Sequence, residues 1–289
     1  MTGEAPLRGS ARPPGRTRRG PRPEAWWAQA LSVLGALVIV GPFAWMLLSA
    51  FKTQHQIMVA GGIWPEPWVL TSFTQAWQAA PFARYFLNSA IVTGGTVALQ
   101  LIVCALAAYA FARLAFFGRE LLFLLFLATM MIPQEVNLIG DYLLMSRLGW
   151  LDTYWSLIVP WGASPLAIFL LRQTLRGLPD ELADAARLDG CGNWGFLWRI
   201  ALPLCKPALA AVAVLGAVGS WNDFTWPLIM TNSDAMRTVQ VGVSIFSQDA
   251  GTQYPLLMAA STLVMLPVVA VFVALRGAFM QGVARSGLK

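Results

Sequence analysis

The chain has 289 residues, of which 57% are hydrophobic and only 12% charged, with a mean hydropathy of +0.60 and a formal net charge of +6. A soluble domain carries about a quarter of its residues as Asp, Glu, Lys and Arg, so an ordinary soluble protein is excluded and an integral membrane protein follows. The basic residues are scattered between apolar stretches, which fits a topology signal and excludes a nucleic-acid surface.

Residues 1–25, MTGEAPLRGSARPPGRTRRGPRPEA, are rich in Arg, Pro and Gly and lack apolar periodicity. They are expected to form a disordered basic tail ahead of a transmembrane domain over 26–289. The apolar run that follows, Trp26 to Phe51, is much longer than a signal-peptide core and reads as an uncleaved first helix.

Charge-free gaps locate the spans. Glu24 to Lys52 encloses 27 uncharged residues, Arg84 to Arg113 encloses 28, Asp152 to Arg172 encloses 19 and Asp249 to Arg276 encloses 26. About 20 residues cross the hydrocarbon of a bilayer. Two further apolar runs carry internal acids: Glu135 and Asp141 in one, Asp223 in the other. Six helices are expected, near 26–51, 86–112, 121–144, 154–172, 206–230 and 255–276, giving an all-α integral membrane fold.

With six spans both termini share one side. Of the 20 Lys and Arg residues, 16 fall on that side, and only Lys52, Arg84, Arg147 and Arg237 on the other. The asymmetry places both termini in the cytoplasm. The same count makes the segment 173–206 a cytoplasmic loop.

Common chemical motifs are missing. The chain has no G-x-x-x-x-G-K-[ST], so no ATP-binding loop of its own is expected. G-x-S-x-G and H-E-x-x-H do not occur. The one histidine, His55, stands without ligand-spaced neighbours, and Cys104, Cys191 and Cys205 are odd in number; neither a metal site nor a disulfide framework is expected.

The cytoplasmic loop carries ELADAARLDGCGNWGFLWRIALPLCKP, Glu181 to Pro207. Pro179 stops the preceding helix, Asp180 suits an N-cap, and Glu181 and Asp184 set negative charge against the positive end of the helix dipole. Gly190 permits the left-handed turn that closes it. The spacing predicts a helix over 181–189, about 13 Å long, with Leu182, Ala185 and Ala186 on one face. So short a helix needs something to pack against. The face suits the protein's own cytoplasmic ends and a groove on another protein equally.

This stretch resembles the cytoplasmic signature loop of binding-protein-dependent ABC importer permeases, the Glu-Ala-Ala…Gly motif. APFARYFLNSAIV (80–92), IPQEVNLIGDYLLMSRLGWLDTYWSLIVPW, GSWNDFTWPLIM and the C-terminal PLLMAASTLVMLPVVAVFVALRGAFMQGVARSGLK extend the resemblance from about Ser49 to Lys289. They point to the sugar-uptake subfamily that includes the smaller membrane subunit of maltose-type importers. The resemblance implies a type I ABC importer permease fold in a bacterial or archaeal plasma membrane. It implies a second homologous permease, two cytoplasmic ATPase subunits that bind the ATP, an extracytoplasmic solute-binding protein and a sugar substrate. The chain itself is then neither an enzyme nor a cofactor binder. The loop helix would dock in a cleft of an ATPase subunit, with Asp184, Ala185, Ala186, Asp189 and Gly190 at the motif positions and Glu181 and Leu182 beside them. Asp184 departs from the family, which favours Glu there.

Polar residues inside the spans are candidates for the solute path, since charge in hydrocarbon costs several kcal/mol unless it faces protein or water. Asn88, Glu135, Asn137, Trp221, Asn222 and Asp223 combine the amides, carboxylates and aromatic rings that bind sugars. The competing reading makes the tryptophans an interfacial belt and Asp223 a local cap. Two other functions compete with sugar import: a permease for a non-sugar solute such as a polyamine or phosphate, and a non-transporting scaffold.

Overall fold

The computed structural model describes residues 25–248 and 251–286. The expected basic tail, up to Glu24, lies outside the described residues. The chain divides into two units, Met1–Trp45 and Met46–Lys289. The first holds most of α1 (Ala25–Ser49), whose side chains from Trp26 to Trp45 are all exposed.

The second unit is built on α3 (Phe82–Arg113), which follows the short helix α2 (Thr71–Gln78). α3 has no internal proline, and its 32 residues make a rod of about 48 Å. One stripe is buried at three- and four-residue spacing: Tyr85, Asn88, Ser89, Val92, Thr96, Gln100, Cys104, Ala105, Ala108 and Tyr109. The small residues at its Arg113 end, Cys104, Ala105 and Ala108, let neighbouring helices approach closely. They pack in one core with Leu171, Leu175, Ala201, Cys205 and Val212.

The third expected span is not one helix. α4 (Arg119–Ala128) and a 3₁₀ turn end at Ile132, and α5 (Gln134–Arg147) leaves at 100° to them. Pro133 is the physical reason: it disfavours helical backbone at Ile132 and supplies no N–H of its own. α6 (Tyr154–Ile158) continues through a 3₁₀ turn to Trp161, and α7 (Pro165–Arg176) resumes 41° away. Ser164 caps α7, its Oγ accepting the Ala167 N–H at 3.3 Å, with Pro165 in the first turn, where a missing N–H costs nothing.

After α8 (Asp180–Leu188) come α9 (Asn193–Phe196), a π turn and α10 (Leu202–Leu204). α11 (Lys206–Asn222) then turns 79° from the 193–204 segment at Cys205. The expected fifth span, 206–230, is also interrupted: α11 ends at Asn222, Asp223 is extended, and α12 (Thr225–Met230) restarts the helix. α13 (Val239–Val243), a two-stranded antiparallel ribbon, β1 (Ser247–Gln248) with β2 (Gly251–Thr252), and α14 (Tyr254–Ser286) complete the order. Among the described residues three helices are long and apolar enough to cross a membrane unaided, Trp26–Ser49, Phe82–Arg113 and Tyr254–Val273. The described residues reach six spans when each bent pair counts as one.

α3 packs on α7 and α11, and each of its ends is fastened by side chains. At the Phe82 end, Asn88 Nδ2 donates to Ala235 O and Arg237 O at 2.9 and 2.8 Å, while Tyr154 Oη donates to Asn88 Oδ1 at 2.7 Å. Nearby, Asp152 holds a left-handed backbone with φ of 58° and accepts the N–H groups of Asn232 and Ser233 at 2.9 and 3.0 Å. Toward the Arg113 end, Arg172 is buried. Its guanidinium lies 3.9 Å over the Phe123 ring, donates to Phe111 O, and pairs with Glu120 at 2.6 Å. A cation stacked on an aromatic face and paired this way is a packing element, so Arg172 serves the interior.

Candidate functional site

The α7–α8–α9 hairpin projects at the Arg113 end. Asp180 does not cap α8: Pro179 takes the cap position and Asp180 is the first helical residue, its carboxylate turned to Arg113. The other end closes as its glycine predicts. Gly190 has φ of 75°, its N–H donates to Arg187 O at 3.0 Å, and the Cys191 N–H reaches Ala186 O at 2.8 Å. These two bonds satisfy carbonyls that the helix end would otherwise leave unpaired, the Schellman arrangement.

The faces of α8 divide differently from the expectation. Ala186 is 4% exposed and packs, with Ala183 and Cys191, into the core that holds Tyr109 and Phe196. Leu182 and Ala185 face outward, and Leu188 is 90% exposed. Ala186 therefore does not share the outer face with Leu182 and Ala185. The helix packs on its own protein with one side and leaves a second, apolar side uncovered. Glu181, Asp184 and Asp189 are exposed around it, with Asp184 paired to Arg187 at 3.0 Å. Trp194 and Trp198, edge to face at 5.8 Å between centroids, extend the exposed apolar surface.

Arg113 ties this hairpin to α3. Its Nε donates to Leu175 O at 3.1 Å, its Nη2 donates to Leu178 O, and its Nη1 pairs with Asp180. A polar cavity of about 350 Å³ separates α8 from the end of α3, with Arg113, Asp184 and Arg187 among its walls. The guanidinium fork therefore bridges a gap that packing does not fill.

Inside the bundle, a second cavity of about 290 Å³ lies between α3, α7, α11 and α12. Of the six expected path residues only Asp223 lines it. Asp223 also accepts the Trp226 N–H at 3.4 Å, so it serves as a local cap and a cavity wall together. Asn88 is fully buried, with both amide hydrogens donated to the 235–237 segment and its oxygen accepting from Tyr154, which makes it a clamp. Trp221 packs on Phe86 and donates to Val264 O at 3.3 Å. Asn222 is exposed and bonds Val218 O and Gln240. Glu135 and Asn137 are exposed on α5, away from the cavity; the adjacent Gln134 is the α5 residue that reaches it. The reading of the sequence passed over Thr96, Gln100 and Gln134 as cavity residues. Thr96 and Gln100 are spaced i, i+4 near the middle of the second span, and that spacing was the available signal.

Apolar spans with interrupted backbone around a cavity that carries Gln100, Gln134 and Asp223, and a hairpin fastened to the central helix, are the architecture of a membrane transport subunit. The chain belongs to the family of binding-protein-dependent transport system inner membrane components, which matches residues 22–285. It is 34% identical over 258 residues to the arabinooligosaccharides transport system permease protein AraQ of Halalkalibacterium halodurans, covering 88% of this chain and 92% of that one. It is 34% identical over 269 residues to the sn-glycerol-3-phosphate transport system permease protein UgpE of Yersinia enterocolitica, covering 90% and 96%. Its fold is similar to that in the crystal structure of a bacterial ABC transporter involved in the import of the acidic polysaccharide alginate, with a TM-score of 0.77, 20% identity, and coverage of 90% and 99%.

Proposed function

We propose that the chain is one of two permease subunits of an ATP-driven importer that carries a carbohydrate across the plasma membrane by alternating access. Six spans with both termini in the cytoplasm place the hairpin where a soluble ATPase pair reaches it. The observation that carries the reading is α8 itself. One face is held in the protein's own core, the other is apolar and uncovered, and Arg113 connects the helix to α3. A helix so mounted receives a push from a partner and passes it to the bundle. Leu182, Ala185, Leu188 and their flanking acids form the outer contact, and Ala186 and Gly190 set its shape. ATP is held by the two ATPase subunits, and a solute-binding protein delivers the solute from the opposite side.

Relatives named for arabinooligosaccharide, diacetylchitobiose and sn-glycerol-3-phosphate transport support a sugar or sugar-like cargo. The test is reconstitution with the neighbouring-gene ATPase, second permease and binding protein in proteoliposomes. ATP-dependent accumulation of a sugar is the expected result. Accumulation of a polyamine or inorganic phosphate alone moves the chain to the non-sugar class, and assembly without transport makes it a scaffold. A reporter active only in the cytoplasm tests orientation: it works when fused after Arg119 or Gly190 and fails after Gly62 or Asp234.

A further inference from the structure

We propose that the cavity walled by Thr96, Gln100 and Asp223 is a niche for a single neutral sugar ring in transit, so that this subunit selects against anionic solutes. The proposal rests on the importer reading above and names the substrate class. Three backbone interruptions meet at the cavity. Gln134 follows the break at Pro133, Ser164 lies between the 3₁₀ turn and α7, and Asp223 separates α11 from α12. Interrupted helix exposes backbone polar groups, and within a bilayer such backbone persists where it lines a protein cavity.

The polar lining is unfinished. The Thr96 hydroxyl and the Trp161 indole N–H are buried and have no hydrogen-bond partner. Thr96 is 1% exposed. Buried polar atoms are nearly always paired, and an orphan calls for a reason. A threonine on a helix has two accessible χ1 rotamers, so its hydroxyl can turn to a ligand. Gln100 donates from Nε2 to Trp161 O at 2.9 Å. Its Oε1 occupies the space over Gly216, where an added Cβ would come within 2.3 Å. Trp161 and Trp226, edge to face with centroids 5.5 Å apart, supply apolar surface for the C–H face of a ring. A hydroxyl, an indole N–H, a carboxamide and a carboxylate around aromatic rings match a polyol that both donates and accepts.

Size and charge narrow the class. The volume, about 290 Å³, lies at the lower edge of small-molecule sites, which begin near 300 Å³, and fits one ring at a time. Among the described residues no Lys, Arg or His lines the cavity, and Asp223 is the one charged residue that does. A phosphorylated sugar or a uronic acid would bring like charge against Asp223 in a medium of low dielectric.

The test uses the whole importer in proteoliposomes, with radiolabelled arabinobiose and sn-glycerol 3-phosphate as probes. Thr96→Val removes the hydroxyl and breaks no bond present in the structure. We expect it to raise KM for arabinobiose by roughly three- to tenfold, the range of one neutral hydrogen bond. Maximal rate and binding-protein affinity should stay within about twofold, since lost ground-state binding appears in KM. Melting temperature should hold or rise, and Thr96→Ser should restore KM. Gly216→Ala, which displaces the Gln100 carboxamide, should raise KM likewise, whereas Val218→Ala, exposed and off the cavity, should not. An unchanged KM in Thr96→Val and Gly216→Ala overturns the niche. Transport of sn-glycerol 3-phosphate in preference to arabinobiose overturns the neutral class while the importer reading stands. A wild-type assembly that moves neither probe nor any other solute removes the importer reading, and the niche falls with it.

Discussion

Arg113, the last residue of α3, and Asp180, the first residue of α8, form an ion pair that joins the central helix to the hairpin. The two partners are unequal. The Arg113 side chain is 12% exposed and also donates to two backbone carbonyls, whereas the Asp180 side chain is 89% exposed. An exposed ion pair contributes at most about 1 kcal/mol, so Asp180→Ala should shift stability little. Arg113→Ala removes the bonds to the carbonyls of Leu175 and Leu178, the first of which keeps the Leu178 N–H, and should cost roughly 1–3 kcal/mol. It should also lower the solute moved per ATP hydrolysed in the assembled importer, because the bridge over the gap is gone. Thermal unfolding of both single variants and the double variant separates the ion pair from the carbonyl bonds, and equal losses in the two single variants would contradict this ranking.

The two faces of α8 predict opposite phenotypes for neighbouring residues. Ala185→Asp and Leu188→Asp lie on the exposed side and should leave insertion and melting temperature near normal while transport falls steeply. Ala186→Asp puts an unpaired carboxylate in the core with Phe196 and Tyr109 and should unfold the hairpin, since a buried unpaired charge costs several kcal/mol. Limited proteolysis at the hairpin distinguishes the two outcomes.

Gly190 offers a cleaner case. An added Cβ meets nothing within 4 Å, but φ is +75°. Strain is then the whole cost: about 1 kcal/mol for Gly190→Ala and more for Gly190→Val. Gly190→Asn should be milder than either, because asparagine tolerates this region. Melting temperatures of the three variants test the order.

Asp152 predicts a pH dependence. Partial burial pushes its carboxyl up, but the Ser233 side chain, the amides of Ser233 and Asn232 and the charge of Arg237 outweigh that and hold it below the ordinary 3.8. A carboxyl lowered on folding adds stability that is fully present above its unfolded value and lost as pH falls through the folded one. The loop around Asn232 should therefore weaken below about pH 4. Asp152→Asn should flatten that slope, and asparagine accepts the left-handed backbone. A melting-temperature profile from pH 6 downward, with and without the substitution, measures it.

Much of the fold was legible because hydrocarbon leaves little choice: charge-free runs of membrane length become apolar helices. The interruptions were harder to see. Pro133 announced a break but not a turn of 100°, and Asp223 read as a helical residue because nothing local distinguishes a span that continues from one that stops and restarts. Gly190 was legible, since only a glycine-like backbone ends a helix in that way. The facing of Ala186 was not, because Ala185 and Ala186 have the same chemistry and only the position of Tyr109 and Phe196 decides which is buried. Asn88 looked like a solute ligand until the loop at 235–237 appeared beside it, about 150 residues away in sequence.

The Phe82 end of α3 carries a consequence for how the protein is made. Arg84, Tyr85, Asn88 and Ser89 bond to groups between Asp234 and Val239, at sequence separations of 147 to 151 residues. At ribosomal speeds of roughly 5–20 residues per second, these side chains wait on the order of 7–30 s before their partners emerge. During that interval α3 sits in the bilayer with its polar stripe unmatched at that end. This late-synthesised segment is thus the latch of the bundle, and a nascent chain released before residue 234 is left open to quality-control proteases.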